Sequence, residues 1–431
     1  MNEMARRPLP PALEPPEPPR RRGQRSGPFG VLDIGTTKIA CLIGRTEADG
    51  MLRVLGFGWQ RGRGIRAGGI ADIAEAEKAI RAAVGQAEET ADTTLRSVVV
   101  NLSCGAPESQ LFNVQWPIGG RAVGDDDIRR IVQEGRARAA AEGRATIHAI
   151  PLAFSVDDTD GVSDPRGLSA DILTARLHVI DVGVTALRNL GACLARCDLD
   201  VSELVSAPMA AGLSTLVEDE RELGTAVVDM GGGTTGLAVF AEGQLLHTAQ
   251  LPVGGVHVTN DLARVLSTPV AHAERMKALY GGVQESPDDA REMLPVPLIG
   301  EEEHHIAKVP RAMIVSVIRP RLEETFELLK DRLEATGMGR AAARVVLTGG
   351  ASQLTGVREM AHHILGRPVR LGRPLALRGM PDSASGPAFA GAAGLLQWAA
   401  GEGRVMTDLD LEATSPPGAF RRFVNWLRDR V

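Results

Sequence analysis

Apolar runs closed by short polar turns recur from about residue 28 to residue 399, and their spacing predicts alternating strands and helices. Val31–Asp33, Ile39–Ile43 and Arg53–Gly58 read as strands. Ile73, Ala76, Ile80 and Val84 share one stripe of a helix spanning Ile73–Glu89, and Ser97–Leu102 returns to strand. Gly124-Asp125-Asp126-Asp127 opens a helix running to about Glu142, with carboxylates where the helix dipole favours them. Strands follow at Thr146–Phe154 and Thr174–Val182, around the polar loop Asp157–Arg166. Val205–Gly212 reads as a helix of small residues, and Thr225–Gln250 as a hairpin with a third strand. Val256–Ala312 reads as largely helical, with a loop from about Gly281 to Glu303. Met313–Ala335 is a long helix with Val317, Leu322, Phe326, Leu329 and Leu333 spaced for burial. A buried-type strand from Arg344, a helix over Gln353–Leu365 and a small-residue helix over Gly386–Leu396 complete the pattern.

One unit occurs twice. Val31-Leu32-Asp33-Ile34-Gly35-Thr36-Thr37-Lys38 precedes the apolar run Ile39–Ile43. Val227-Val228-Asp229-Met230-Gly231-Gly232-Gly233-Thr234-Thr235 precedes Leu237–Phe240. Each is a strand, an Asp, a tight Gly/Thr turn and a second strand. A single Asp-x-Gly turn is common. The pair, with Lys38 in one copy and three glycines in the other, points to a clamp for a nucleotide triphosphate. Glycine lets the backbone approach a phosphate closely, and the exposed N–H groups of such turns make an anion-binding concavity. Thr hydroxyls add donors, and Lys38 is a point charge suited to the outer phosphates. Asp33 and Asp229 end their strands, where a carboxylate can hold Mg²⁺ through water. A third segment, Arg344 to Ser352, ends in Gly349-Gly350, which would let a purine and ribose lie on the backbone. No G-x-x-x-x-G-K-[ST] sequence occurs. Gly56-Phe57-Gly58 and Gly62-Arg63-Gly64 complete no dinucleotide fingerprint and read as loop.

Together these residues resemble the actin/Hsp70/sugar-kinase ATPase superfamily. Asp33–Lys38 is similar to its first phosphate motif, Asp229–Thr235 to its second and Leu347–Ser352 to its adenosine motif. Val205–Gly212 and Gly386–Leu396 resemble its two hinge helices. The stretch Glu218–Thr235, continued by Thr259–Ala263 and Ala273–Lys277, resembles most closely the FtsA family of bacterial cell-division proteins. The resemblance runs from about Gly30 to Trp398 and implies an α/β, actin-like ATPase fold: two duplicated α/β halves around a nucleotide cleft, each with an inserted subdomain. The implied ligands are ATP and Mg²⁺. The implied contacts are Asp33, Gly35, Thr36, Thr37, Lys38, Asp229, Gly231, Gly232, Gly233 and Thr234 to phosphate and metal, with Glu274, Lys277, Gly349, Gly350 and Ser352 on the adenosine side. Relatives that hydrolyse ATP often carry an acid before Pro-x-Ala-Ala in the first hinge helix. Ala207 stands there, so ATP binding with slow or negligible hydrolysis is expected, and Glu203, read as one helical turn earlier, is the nearest substitute.

Composition adds limits. The net charge of −6 and the 3% aromatic content argue against a nucleic-acid partner. Cys41, Cys104, Cys193 and Cys197 form no metal-ligand pattern and read as reduced thiols. Glu301-Glu302-Glu303-His304-His305 lacks helical H-E-x-x-H spacing and reads as a solvated loop. No apolar run is long enough to span a membrane, and the N-terminus has no apolar signal core.

The expected division is a disordered Pro/Arg-rich tail at 1–27, the first half at 28–108 and 191–224 with its insertion at 109–190, and the second half at 225–255 and 313–399 with its insertion at 256–312. A linker at 400–418 and an amphipathic helix at 419–431 follow. In that last segment Phe420, Phe423, Val424, Leu427 and Val431 share a face, Arg421, Arg422, Arg428 and Arg430 lie around the other, and Trp426 sits near the boundary. This is the pattern of a helix lying in a membrane interface, with arginines drawn to anionic lipid. By resemblance, the chain would self-associate into filaments on the cytoplasmic face of the inner membrane at the division site. It would bind the C-terminal peptide of the tubulin-like FtsZ through the second insertion and signal to later division proteins through the first. A pilus-assembly or shape-determining scaffold is the nearest alternative. A small-molecule kinase needs a catalytic Asp base, and an Hsp70-type chaperone needs a β-rich domain after the second hinge.

Overall fold

The computed structural model describes residues 27–301 and 306–401. Most of the N-terminal tail, Glu302–His305, the linker and the amphipathic segment at 419–431 lie outside the described residues.

The apolar runs at the start of the chain build an antiparallel meander, β1 (Phe29–Ile34), β2 (Lys38–Thr46) and β3 (Leu52–Arg61). A two-residue pair, β4 (Ile65–Arg66) and β5 (Gly69–Ile70), precedes α1 (Ile73–Ala91), which delivers β6 (Ser97–Leu102) parallel to β1. Asp72 caps α1, its carboxylate accepting from the N–H groups of Ala74 and Glu75. Gly56 and Gly58, read both as the end of a strand and as loop, lie inside β3. There α1 crosses so closely that a Cβ would fall 2.2 and 2.1 Å from the carbonyl oxygens of Ala87 and Ala83.

The first insertion is β7 (Glu108–Pro117), α2 (Asp125–Ala139), β8 (Arg144–Val156), β9 (Thr159–Val162) and β10 (Ile172–Gly183). Its antiparallel sheet, ordered β7-β10-β8-β9, has a core of its own around Val114, Ile128, Phe154 and Leu173. Burial in β7 is confined to Val114, so no period-2 pattern announces that strand. At the start of α2 the Asp127 carboxylate accepts the Gly124 N–H at 3.0 Å and both Arg121 nitrogens at 2.6 and 2.5 Å. The Arg121 bonds hold its pKa down to about 2.

The chain returns through α3 (Val184–Arg196), β11 (Asp200–Ser206), α4 (Ala207–Thr215) and α5 (Glu218–Leu223), completing a sheet ordered β11-β6-β1-β2-β3. The helix expected from Val205 begins at Ala207, because Val205 and Ser206 finish β11 beside β6. The second half repeats the plan: β12 (Thr225–Met230), β13 (Thr235–Ala241), β14 (Gln244–Leu251), the insertion α6 (Gly255–Val265), α7 (Val270–Tyr280), β15 (Met293–Pro297) and β16 (Ile306–Pro310), then α8 (Arg311–Ala335), β17 (Arg344–Thr348), α9 (Val357–Leu365) and β18 (Val369–Leu371). Its sheet runs β14-β13-β12-β17-β18, the counterpart strand for strand of β3-β2-β1-β6-β11. In the β15–β16 hairpin, β15 lies where a loop was expected and β16 follows it where helix was expected. Prolines at 295, 297 and 310 remove ladder donors and mask the strand signal.

The halves meet where α10 (Ala390–Ala399) crosses α4. The Ser214 hydroxyl donates to the Ala390 carbonyl at 2.8 Å, and a Cβ on Gly394 would fall 1.6 Å from the Ala210 oxygen. A second joint lies between the inserted sheet and β14. Thr248 N–H donates to Ser109 Oγ at 3.2 Å, Ser109 Oγ lies 2.6 Å from His178 Nε2, and Gln244 Nε2 donates to the Leu152 carbonyl at 2.5 Å. Three buried imidazoles belong to this region. Burial, and then the neighbouring His247 and His148, push His178 down to about 3. Burial pushes His148 to about 4, with Arg136 adding to it, and His247 to about 4, with Arg332 adding to it.

Gly394→Ala is expected to cost at least about 3 kcal/mol by thermal or chemical denaturation, because a helix-to-helix backbone contact cannot yield to one more methyl. Gly191→Ala, in α3 with nothing within 4 Å of the added carbon, is expected to be neutral or stabilising by up to about 1 kcal/mol. The depressed imidazoles set an acid limit. The unfolded chain binds protons near the ordinary value of 6.5 while the folded chain does not, so stability is fully present above that pH and falls as pH drops towards 4 to 3. His178→Gln should shrink the stability difference between neutral pH and about pH 5 by roughly 2 kcal/mol in denaturant titrations.

Candidate nucleotide cleft

The two Gly/Thr turns close in the same way. Gly35 N–H donates to the Lys38 carbonyl at 2.9 Å, and Gly231 N–H donates to the Thr234 carbonyl at 2.9 Å. At either glycine a Cβ would fall 2.8 Å from that carbonyl oxygen, so both turns exclude a side chain at this position. The turns abut. A Cβ on Gly232 would fall 2.6 Å from the Thr37 methyl carbon, and one on Gly233 2.3 Å from Thr36 Oγ1. Thr36 Oγ1 also accepts the Gly68 N–H at 3.1 Å. The turns form one end of a cleft of about 510 Å³ between the halves.

Asp33 and Asp229 line this cleft at the ends of β1 and β12. Asn101 Nδ2 donates to Asp33 Oδ1 at 2.7 Å, while Asn101 Oδ1 accepts the Ile34 N–H at 2.7 Å. Burial raises Asp229 to about 7, with repulsion from Asp33 adding to it and Lys38 opposing it. Burial likewise raises Asp33 against the pull of Lys38. Burial lowers Lys38, opposed by both carboxylates. Lys38 Nζ donates to the Ala388 carbonyl and sits 3.6 Å from the centre of the Phe389 ring. Two carboxylates that one half-buried lysine leaves under-compensated suit a hydrated divalent cation. The donor set, oxygen without thiol or imidazole, fits Mg²⁺. Among the described residues no group of three or more His, Cys, Asp or Glu is placed to hold a metal by itself.

On the opposite wall Lys277 Nζ donates to Glu274 Oε2, Thr259 Oγ1 and the Gly255 carbonyl at 2.8, 2.8 and 2.9 Å. Glu274 and Lys277 are thus one fixed unit, with the lysine holding the carboxyl below its usual range against the effect of burial. Gly349, at φ +83°, packs against Asp229, and a Cβ there would fall 2.4 Å from Oδ1. Gly350, Gln353, Leu354 and Thr355 continue the wall.

Every nominated residue lines the cleft except Ser352. The turn Gly350–Gln353 sends its hydroxyl back to the Gly349 carbonyl at 2.7 Å, and Ser352 is buried behind the wall. Glu203 is also displaced from its expected role. It lies on β11 rather than on a helix and accepts the Trp398 Nε1–H at 2.9 Å. Asn101, Gly255 and Gln250 line the cleft and were not nominated. Asn101 had a signal, an amide inside the apolar strand Ser97–Leu102. Gly254-Gly255 had another, a glycine pair at a helix start, where the N–H groups of Gly255 and Val256 bind the Gly231 and Gly232 carbonyls at 3.0 and 2.8 Å. Cys41, Cys104, Cys193 and Cys197 are buried free thiols.

Comparison with known proteins agrees with this geometry. The family model described as cell division protein FtsA matches residues 226–394, and the SHS2 domain inserted in FtsA matches residues 105–181. Cell division protein FtsA of Agrobacterium fabrum is 43% identical over 385 residues, covering 86% of this chain and 87% of that protein. The Escherichia coli K12 protein of the same name is 33% identical over 408 residues, covering 92% and 96%. Among solved structures, the PilM-PilN type IV pilus biogenesis complex matches with a TM-score of 0.63 at 19% identity, covering 86% of this chain and 98% of that one. MreB5 of Spiroplasma citri bound to ADP matches with a TM-score of 0.53 at 13% identity, covering 88% and 98%. These structural likenesses establish the actin-like fold, and the sequence relatives establish the family: the chain belongs to the FtsA family of cell-division proteins.

Proposed function

We propose that this protein binds Mg-ATP between its halves and works as an actin-like division scaffold that polymerises on the cytoplasmic face of the inner membrane, anchors FtsZ there and recruits later division proteins. The observation that carries the nucleotide part is the pair of abutting Gly/Thr turns with Asp33, Asp229 and Lys38 between them. When bound, ATP with Mg²⁺ would supply the phosphate oxygens and the cation charge that this end of the cleft lacks. Gly35–Thr37 and Gly231–Thr234 would hold phosphates by N–H and hydroxyl donors, and Lys38 would meet the outer ones. The Glu274–Lys277 unit and Gly349-Gly350 would frame the adenosine.

Family membership supports the division role, and the sequence pattern of Ala419–Val431 supports a reversible membrane foot. One short amphipathic segment holds weakly, and an array of them in a filament holds far better. Among the described residues no helix is long and apolar enough to cross a membrane. The insertions, β7 to β10 in the first half and α6 to β16 in the second, are suited to partner contacts because each adds surface outside the duplicated halves. A kinase reading is disfavoured by the cleft, whose described carboxylates are Asp33 and Asp229 beside the phosphate turns and Glu274, already paired with Lys277.

Asp229→Asn and Lys38→Ala are expected to weaken binding of a fluorescent ATP analogue in Mg²⁺ by roughly 10- to 100-fold, the scale of one charge-assisted contact to phosphate. Unchanged affinity in both would remove the nucleotide reading. On anionic lipid monolayers with Mg-ATP, the full chain is expected to form filaments visible by negative-stain electron microscopy, and a chain lacking Ala419–Val431 is expected to leave the lipid bare. Equal lipid binding by both chains would refute the foot.

A further inference from the structure

Strand register places a third polar residue in line with the metal-side carboxylate of the second half. Asp229 on β12 lies opposite Gly236 on β13, and Gly236 lies opposite Gln250 on β14. Residues directly across neighbouring strands face the same side, so Asp229 and Gln250 flank one groove about 10 Å across, two strand spacings. Along the sheet only Gly236 lies between them, and Pro208 packs over it, since a Cβ on Gly236 would fall 2.9 Å from Pro208 Cβ. Gln250 therefore stands beside the start of α4, where Ala207 offers a methyl in place of an acid. The matching row of the first half reads Asp33, Ala40, Trp59 and holds no amide.

The amide is held by one end. Gln250 Nε2 donates to the Ser103 carbonyl at 2.8 Å, bridging from the second half to the first across the cleft, whose wall includes both residues. Its Oε1 is buried and accepts no hydrogen bond from the described residues. A buried acceptor that no described residue satisfies is normally completed by ordered water, and beside a phosphate site such a water lies within reach of the nucleotide.

We propose that Gln250 orients the attacking water when this protein hydrolyses ATP, its Oε1 accepting a hydrogen bond from that water beside the start of α4. The inference rests on the nucleotide reading above. In the step, the water oxygen forms a bond to the terminal phosphorus. The bond from that phosphorus to the bridging oxygen breaks, its electron pair leaves with ADP, and the water proton passes to bulk solvent. An amide aligns the water and takes no proton, which accounts for turnover slower than a carboxylate base would give.

The test uses the full chain with Mg²⁺ and three readouts: ATP turnover, affinity for a fluorescent ATP analogue, and affinity for ADP with orthovanadate as a mimic of the attacked phosphate. Gln250→Ala is expected to lower turnover roughly tenfold or more and to weaken ADP-vanadate binding by a similar factor, with ATP affinity within about twofold. Gln250→Glu keeps an acceptor and loses the donor to Ser103, so it should rescue turnover if the acceptor matters. Equal losses in both variants would reduce Gln250 to a structural bridge and overturn the proposal. Unaltered turnover in Gln250→Ala, or no turnover above a protein-free blank while ATP binds, would also overturn it and leave the nucleotide reading standing. Failure of the unmodified chain to bind ATP would sink both.

Discussion

Two helices can touch backbone to backbone only where a side chain is missing, and the missing side chain at Gly394 sets how the halves of this protein meet. With the Ala210 carbonyl lying where a Cβ would be, α10 and α4 cross at the closest approach that van der Waals contact allows. Ala390, Ala392 and Ala211 extend the contact without spacing the helices apart. That closeness brings the starts of both helices to the cleft. Pro208 then lies over Gly236, and Gly391 lies beside Asp33, where a Cβ would fall 3.2 Å from Oδ2. Bulkier residues at the crossing would part the sheets and with them the two Gly/Thr turns.

Holding the turns together has an electrostatic cost. Asp33 and Asp229 are drawn into one low-dielectric space, where burial raises both and Asp33 adds to the cost of ionising Asp229, with Lys38 as their shared counter-charge. Lys38 is itself taken up by the Ala388 carbonyl and the Phe389 ring, on the segment that links the adenosine loop to α10. The same lysine thus connects a phosphate turn to the hinge. Duplication has given both halves the strand, Asp and turn, while their rows diverge beyond the aspartates: Ala40 and an exposed Trp59 in one, Gly236 and a cleft-lining Gln250 in the other. One half therefore offers an amide to the cleft, and the other ends its row in an aromatic residue.

The sequence made the local devices legible and hid those that depend on distant strands. A tight turn needs its glycines and threonines within a few residues, so both phosphate turns could be read directly, and so could the Glu274–Lys277 spacing on α7. Asn101, Gln250 and Gly255 reach the cleft from other strands and turns, and only strand register shows which side each faces. Ser352 stands behind the wall because the turn after Gly349 folds its hydroxyl onto the backbone, which motif spacing does not record. Glu203 was misjudged because β11 extends to Ser206, turning a helical offset into a strand position. Strands β7 and β15–β16 went unread for another reason: β7 buries too little to show alternation, and prolines interrupt the hairpin.

Strand β14 ties these features together. At one end Gln250 crosses to Ser103 of the first half; along its length Thr248 and Gln244 bond to Ser109 and Leu152 of the inserted sheet. That sheet belongs by chain connection to the first half, between β6 and α3, yet its closest polar contacts across the joint are to the edge strand of the second. It is fastened to both. A rotation of the halves about the α4–α10 crossing must either carry the inserted sheet with β14, straining its links to β6 and α3, or break the Ser109, Thr248 and Gln244 bonds and wet the imidazoles buried beside them. Because those imidazoles are held neutral by their burial, water entering the joint would let them take up protons that the closed joint refuses. The joint therefore resists opening most strongly near neutral pH, and it yields more readily as acid favours the charged rings.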